Sequence, residues 1–167
     1  MARVLFNEVV FEELAPGSLL EAEFEGIVID KGSAIFPGFY VVPFKRAVYS
    51  EDDCAKPDLA LIEKNYRIWW VAEVELCNHS LEGHVLPQVR TLSRASYGED
   101  EGKALCQKCP LLDQGRICDM LKGKQPRVLV IVDSERKDWV MPLRRHDAEL
   151  VVLQIYSFDI YPLRGAW

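Results

Sequence analysis

Residues 57–76 read PDLALIEKNYRIWWVAEVEL, with Pro57-Asp58 at the start and Glu73-Val74-Glu75 near the end. Each half of this stretch is apolar and strand-forming, and a short polar turn separates the halves. The pattern predicts an antiparallel hairpin with strands over 56–63 and 67–76. Asp58 then lies on the first strand, and both glutamates lie on the second.

The two glutamates are expected on one face of the second strand, because side chains alternate between faces with a period of two. The opposite face is apolar and suited to a core; it comprises Trp70, Ala72, Val74 and Leu76. Two carboxylates on such a strand repel each other and lose hydration unless a positive charge lies between them. A divalent cation, Mg²⁺ or Mn²⁺, supplies that charge, and Asp58 completes its ligands. The alternative is a solvated sheet edge.

The flanking sequence predicts the rest of the domain. Residues 80–95 are expected to form a helix with Ser80 as its N-cap, and the apolar runs 127–132 and 150–156 are expected to be buried strands. Residues 4–25 have apolar spacings that predict a helix interrupted at Pro16-Gly17. This order predicts an α/β fold, with a mixed central β-sheet flanked by helices, in a single domain over 1–167.

Length and composition are those of an ordinary globular protein. The chain has 167 residues, of which 49% are hydrophobic, so enough apolar surface exists to offset the entropy of ordering. The apolar runs are too short to cross a bilayer, and polar residues interrupt the N-terminus before a signal-peptide core. We therefore expect a cytoplasmic protein without a membrane span.

Charge is spread unevenly along the chain. The net charge is −6; residues 1–63 hold 5 basic and 12 acidic side chains, whereas 116–145 hold 8 basic and 4 acidic ones. A protein that binds nucleic acid by charge alone would be more basic. The acidic first part is compatible with a solvated surface, a metal site or a mimic of nucleic acid, and the basic stretch could follow a phosphate backbone.

Pro57-Asp58, fourteen residues, and then Glu73-Val74-Glu75 resembles the PD-(D/E)xK motif of restriction-endonuclease-like nucleases. The resemblance covers about residues 20–135, and Glu75 stands where the family usually has lysine. It implies a mixed sheet flanked by helices and metal-dependent cleavage of phosphodiester bonds, most often in DNA. Asp58 and Glu73 would hold the Mg²⁺ or Mn²⁺, and Glu75 would accept a proton or bind a second ion.

The helix that follows the acids offers further candidates. In the superfamily a polar residue on this helix, often glutamine, points back to the metal, and Gln88 is the match here. His84 shares a helical face with Gln88 because the two are four residues apart. His79 just precedes the helix and is expected to be an ordinary surface side chain.

A cluster of cysteines predicts a second metal site. Cys106 and Cys109 form a C-x2-C pair followed by proline, and Cys118 follows within 98–123, which is expected to be an ordered insertion. Such a pair suits tetrahedral Zn²⁺, with Cys54, Cys77 or His79 as the fourth ligand. An iron–sulfur cluster, as in Cas4-like exonucleases, is the less favoured alternative.

Other functions remain open from the sequence. A non-catalytic, zinc-stabilised binding protein of the nuclease fold, or an acidic protein partner, would agree with the missing lysine and the charge of −6. A zinc hydrolase using Glu75, His79 and His84 is less favoured, because the histidines lack the i, i+4 spacing of a helical pair. The sequence does not distinguish DNA from RNA or a monomer from a homodimer.

Overall fold

The computed structural model describes residues 2–51 and 53–158. The strands are β1 (Arg3–Phe6), β2 (Val9–Glu13), β3 (Phe39–Pro43), β4 (Val48–Tyr49), β5 (Cys54–Ala55), β6 (Leu59–Glu63), β7 (Trp69–Glu75), β8 (Arg127–Val132), β9 (Ala148–Val152) and β10 (Tyr156–Ser157). The helices are α1 (Glu21–Ile35), a π-helix (Leu81–Val85), α2 (Leu86–Arg94), α3 (Glu99–Lys108), α4 (Gln114–Gly123) and α5 (Lys137–Arg144). In these ranges no helix is both long and apolar enough to cross a bilayer.

A five-stranded mixed sheet with the order β3-β6-β7-β8-β9 forms the centre of the protein. Strands β3, β6 and β7 are antiparallel, whereas β7, β8 and β9 are parallel. The predicted hairpin is confirmed as β6 and β7, and the expected mixed sheet flanked by helices is confirmed with it. Leu59 pairs with Ala72, so Asp58 lies across from Glu73 at the end of the ladder.

Strand β7 is buried along its whole length because helices cover both faces of the sheet. Trp70, Ala72 and Val74 pack on the side of α1, as the alternation predicts. Trp69 and Val71 pack on the opposite side, beneath α2. Glu73 and Glu75 continue this second row of side chains, so both carboxylates point into a largely apolar layer.

Helix α1 lies very close to β3. A Cβ atom on Gly32 would come within 2.8 Å of the Val41 Cβ, a distance that real Cβ atoms do not tolerate. Phe24, Val28 and Gly32 are the buried residues of α1, and their spacing of four places all three on one helical face. Glycine at 32 therefore sets how closely the helix approaches the sheet.

The prediction of a helix from residue 4 is wrong. Strands β1 and β2 form a hairpin whose turn residues, Asn7 and Glu8, both have positive φ, at 48° and 65°. Such a turn usually contains glycine, which is absent here, so the usual hairpin signal is missing. Helix α1 begins only at Glu21 and continues to Ile35, beyond the predicted end at residue 25, because its apolar face packs on the sheet.

Residues 98–123, which the sequence predicts to be an ordered insertion, are helical for most of their length. They form α3 and α4, and Leu105, Ile117 and Leu121 are buried in the same core as α2. This segment, with the π-helix and α2, makes the crossover that parallel pairing of β7 and β8 requires. Helix α5, which the sequence did not predict, buries Trp139 beside β9.

Candidate active site

Asp58 is fixed by the neighbouring strand rather than by its own. Its backbone amide donates to the Ala72 carbonyl at 3.0 Å, and its Oδ2 accepts a hydrogen bond from the Val74 amide at 2.7 Å. The side chain is buried and lies across from Glu73. The carboxylates of Asp58 and Glu73 thus lie on the same face of the hairpin, at one end of the β6–β7 ladder.

Glu73 is buried together with one of its carboxylate oxygens. The residue is only 2% exposed, and its Oε1 has no hydrogen-bond partner among the described residues. Burial raises the pKa of Glu73 well above its ordinary value, and the charges of Asp58 and Glu75 raise this pKa further. The ionised carboxylate is therefore costly unless a cation comes to it.

Lys45 supplies one positive charge to this cluster. Its Nζ contacts Asp58 Oδ1 and lies 2.7 Å from Glu25 Oε2 on α1. Partial burial lowers the pKa of Lys45, but the hydrogen bonds to Asp58 and Glu25 outweigh it, so the pKa lies above the ordinary value. Lys45 is therefore charged and neutralises part of the acidic cluster.

The backbone around Lys45 is shaped to bring this side chain to Asp58. The amides of Phe44 and Lys45 donate to the carbonyls of Asp58 and Pro57 at 2.8 and 2.9 Å. Lys45 itself has φ of 44°, in the left-handed region that is unfavourable for a residue with a side chain. Strain of this kind is common at functional sites.

Gln88 contributes a second unpartnered oxygen. It lies on α2, the helix that covers the same face of the sheet, and its Oε1 is buried without a hydrogen-bond partner among the described residues. Buried acceptors of this kind normally bind a donor, an ordered water or an ion. Glu73 and Gln88 thus each present an oxygen that could accept from a donor or bind a cation.

Glu75 faces two histidines. Its Oε2 lies 2.5 Å from His79 Nδ1, and its Oε1 lies 3.5 Å from His84 Nε2. Burial raises the pKa of Glu75, while the hydrogen bond to His79 and the charges of His84 and His79 lower it; the net shift is upward. In the part of the chain that the structure describes, these three residues form the group whose ligand atoms lie within 4.8 Å of one another.

The π-helix explains how histidines five residues apart reach the same carboxylate. The Ser80 carbonyl accepts hydrogen bonds from the amides of both His84 and Val85, so the first turn is wider than an α-helical turn. The Ser80 side chain accepts from the Gly83 amide at 3.1 Å, which confirms the predicted cap. Spacing rules for regular helices miss this arrangement.

Asp133 holds the loop that precedes the π-helix. At the end of β8, its Oδ1 accepts from the Cys77 amide at 2.7 Å and its Oδ2 accepts from the Gly17 amide at 2.6 Å. Arg136 donates to the Cys77 carbonyl. The loop that carries His79 is therefore tied to the sheet through its backbone.

The cysteines lie in helices rather than in a loop. Cys106 is in α3, Cys109 caps its C-terminus, and Cys118 is in α4. Burial raises the pKa of Cys106, and the neighbouring thiols of Cys118 and Cys109 raise it further. Cys54 is exposed on β5, and Cys77 is half-buried. The three helical thiols are thus neighbours, although they are not among the groups with ligand atoms within 4.8 Å.

The basic stretch 116–145 contributes to a cavity of about 900 Å³ beside β9 and α5. Its charged lining is mixed and comprises Arg127, Arg136, Lys137, Arg144, Glu135, Asp147 and Glu149. The excess of positive charge here is therefore small.

The sequence analysis named the carboxylates, both histidines and Gln88 as candidates but missed two contributors. Lys45 lies thirteen residues before Asp58, outside the motif, and Glu25 lies in a helix whose start was misplaced. His79 was predicted to be a surface residue, yet it contacts Glu75. One feature of the sequence pointed to a group such as Lys45. Both glutamates of β7 were expected to be buried with no basic residue alternating with them along the strand, so a positive charge had to come from another segment.

Comparisons of this chain with protein-family models, with curated proteins and with solved structures found no match. Any assignment of function therefore depends on the side chains themselves.

Proposed function

We propose that this protein is a metal-dependent nuclease that hydrolyses phosphodiester bonds, with DNA as the favoured substrate. The observation that supports it most is that Asp58 and Glu73, both buried, lie across from each other on adjacent strands of one sheet, with the buried Glu75 two residues further along the same face. Among residues 2–51 and 53–158, one buried oxygen of Glu73 and one of Gln88 on the covering helix have no hydrogen-bond partner. Carboxylate and amide oxygens are the ligands that Mg²⁺ and Mn²⁺ prefer.

The order of elements supports the PD-(D/E)xK assignment. Helix α1 is followed by β3, by the β6–β7 hairpin that holds the acids, by α2 and by β8. This is the helix, hairpin, helix and strand order that the resemblance implies. Fold alone does not establish activity, so the proposal depends on the acidic cluster.

Each residue has a role in the proposed reaction. Asp58 and Glu73 would hold a Mg²⁺ or Mn²⁺ ion, with the amide oxygen of Gln88 as a further acceptor. Such an ion would supply polarisation of the scissile phosphate and a lower pKa for a water molecule. Glu75, whose pKa is raised, accepts a proton from the attacking water or binds a second ion.

Lys45 favours a catalytic protein over a non-catalytic one. With glutamate at the usual lysine position, positive charge for the transition state must come from elsewhere. Lys45 contacts Asp58 from the end of β3 and is held in a strained conformation. A binding protein has no evident need for a lysine placed in this way.

The proposal extends to location and to the thiols. We propose a cytoplasmic protein in which Cys106, Cys109 and Cys118 bind a structural zinc ion, with Cys54 or Cys77 as a further ligand. Thiolates on neighbouring helices repel one another, and a zinc ion removes that repulsion. Arg127, Arg136 and Lys137 are candidates for contacts with the DNA backbone.

The test is cleavage of plasmid, linear and single-stranded DNA with Mg²⁺, with Mn²⁺ and with EDTA. We expect cleavage by the wild type that EDTA abolishes, and no cleavage by Asp58→Asn or Glu73→Gln. Glu63→Gln is the matched control, because Glu63 ends the same hairpin at its far side. Its activity should equal that of the wild type.

Cleavage that survives in Asp58→Asn, or that is insensitive to EDTA, would overturn the proposal. Absence of cleavage on every DNA and on RNA, in protein that binds Mn²⁺ through Glu73, would favour the non-catalytic alternative.

A further inference from the structure

We propose that Glu75, His79 and His84 form a binding site for a divalent transition-metal ion, separate from the Asp58–Glu73 pair, with zinc as the ion to test. Each of the three residues offers one ligand atom, and these atoms lie within 4.8 Å of one another. Zinc bonds of about 2.0–2.2 Å to nitrogen and oxygen hold ligand atoms about 3–3.5 Å apart. Small side-chain adjustments therefore suffice to close the three residues around an ion.

The two oxygens of Glu75 are already directed at the histidines. Oε2 lies 2.5 Å from His79 Nδ1, and Oε1 lies 3.5 Å from His84 Nε2. The two imidazole rings meet edge to face, with centroids 5.3 Å apart. The side chains thus converge on one point from a strand, a loop and a π-helix.

The donor set distinguishes this site from the acidic pair. Two imidazole nitrogens and one carboxylate suit zinc and similar transition metals, whereas Mg²⁺ prefers oxygen ligands only. Asp58 and Glu73 offer only oxygens and are already in contact with, or near, the ammonium group of Lys45. The two halves of the cluster therefore select different ions.

The surroundings orient the ligands and leave room for a further one. Glu21 Oε2 lies 3.7 Å from His79 Nε2, so a carboxylate faces the ring nitrogen that is directed away from Glu75. A carboxylate on the outer nitrogen is the usual partner of a metal-bound histidine. The His84 side chain is 49% exposed, which leaves one side of the site open to water or to a phosphate oxygen.

Metal binding here needs only these side chains, whereas its effect on cleavage rests on the proposed function. An ion on Glu75 would place positive charge where the family usually has lysine. It would also reduce the repulsion between Glu75 and Glu73, which raises the pKa of Glu73 in the metal-free protein.

The experiment follows zinc binding through the histidines themselves. The chain has three histidines, His79, His84 and His146, and His146 serves as an internal control. In protein labelled with ¹⁵N-histidine, we expect zinc to change the ring-nitrogen signals of His79 and His84 together and saturably, and to leave His146 unchanged. This readout is unaffected by zinc that the cysteines bind.

Matched variants make the result decisive. Glu75→Gln should weaken the zinc response of both histidines at least tenfold, and Glu82→Gln, an exposed neighbour, should leave it unchanged. His84→Ala alters an exposed side chain, so it remains informative if Glu75→Gln does not fold; the response of His79 should weaken at least tenfold.

Unchanged His79 and His84 signals at saturating zinc, or an undiminished response in Glu75→Gln or His84→Ala, would overturn the proposal. Asp58→Asn separates the two hypotheses: it should keep the zinc response and lose DNA cleavage. A zinc response in a wild type that cleaves no DNA would refute the nuclease and leave the metal site standing.

Discussion

The carboxylate of Asp58 accepts a hydrogen bond from the Val74 amide, 2.7 Å away, so Asp58 is held by the residue that separates Glu73 from Glu75. The backbone of β7 therefore positions all three acids: two through their own Cα atoms and the third through an amide. Because this amide points into a buried layer, it needs the acceptor whether or not an ion is bound.

Asparagine and alanine at position 58 should consequently differ in stability but not in activity. Asparagine keeps an acceptor for the Val74 amide, whereas alanine leaves a buried donor unpaired at a cost of about 1–3 kcal/mol. We expect both variants to lose cleavage and only Asp58→Ala to lose that much free energy of unfolding, as measured with urea. An equal loss of unfolding free energy in both variants would show that the hydrogen bond to the Val74 amide does not stabilise the protein.

Replacing Lys45 should reduce catalysis more than binding of DNA. Removing one preorganised positive group from a phosphoryl-transfer site costs about 10²–10³ in rate, so Lys45→Met should lower kcat/KM by that factor. Lys45→Arg should recover part of the loss. Lys56→Met, an exposed lysine two residues before Asp58, is the control and should retain full activity. An equal loss in both methionine variants would contradict a specific role for Lys45.

The metal-free protein should become less stable as pH rises through the ionisation of Glu73. Burial, with the charges of Asp58 and Glu75, raises the pKa of Glu73 above its ordinary value of 4.5 in the folded state. The unfolded chain therefore loses this proton at a lower pH than the folded protein does. As a result, the free energy of unfolding falls as the pH rises from 4.5 to the pKa of Glu73 in the folded state.

Glu73→Gln removes this loss, so with EDTA it should be more stable than the wild type at pH 8 and differ little from it near pH 4. Urea unfolding at the two pH values measures the difference. Addition of Mn²⁺ should stabilise the wild type and not the variant. A pH-independent difference between the two proteins would refute the assignment to Glu73.

Two glycines of α1 should respond in opposite ways to alanine. A Cβ on Gly32 would come within 2.8 Å of Val41, whereas one on Gly26 would meet nothing within 4 Å. We expect Gly32→Ala to lower the free energy of unfolding by about 1–3 kcal/mol through overpacking. Gly26→Ala should raise it by up to about 1 kcal/mol through helix propensity. Equal effects would mean that α1 does not lie this close to β3.

The purified protein should contain zinc that depends on the cysteines. We expect Cys106→Ser and Cys118→Ser each to lose one equivalent of zinc in elemental analysis, because three-thiolate binding does not survive removal of one ligand. Cys54→Ser and Cys77→Ser then identify the fourth ligand. A brown protein with visible absorbance would instead indicate an iron–sulfur cluster, and unchanged zinc in Cys106→Ser would refute the site.

The hairpin was predictable because its signals are local. The alternation of side chains along 69–75 predicts Glu73 and Glu75 on one face of the strand. The apolar composition of the strand predicts that both of its faces are buried. The cap at Ser80 and the strand over 127–132 follow from equally short patterns. Local patterns therefore sufficed to place Asp58 at the start of one strand and both glutamates on one face of the next, whereas the binding of an ion by the three acids stays a prediction.

The remaining parts depend on contacts between distant segments. Lys45 reaches Asp58 through a left-handed residue and a backbone ladder, neither of which has a sequence signature. The pairing of His79 with His84 arises from a π-turn, which regular helical spacing does not describe. The N-terminal hairpin was missed because its turn adopts positive φ without glycine. In each case tertiary context overrode local preference.

Asp133 joins three distant parts of the chain through one side chain. It directly follows β8, and its carboxylate accepts hydrogen bonds from the amide of Gly17, before α1, and from that of Cys77, just after β7. A displacement of β8 would therefore also move the segment before α1 and the loop that carries His79. The end of β8 supplies none of the proposed catalytic residues, yet substitutions that shift this strand would displace the segments that carry them.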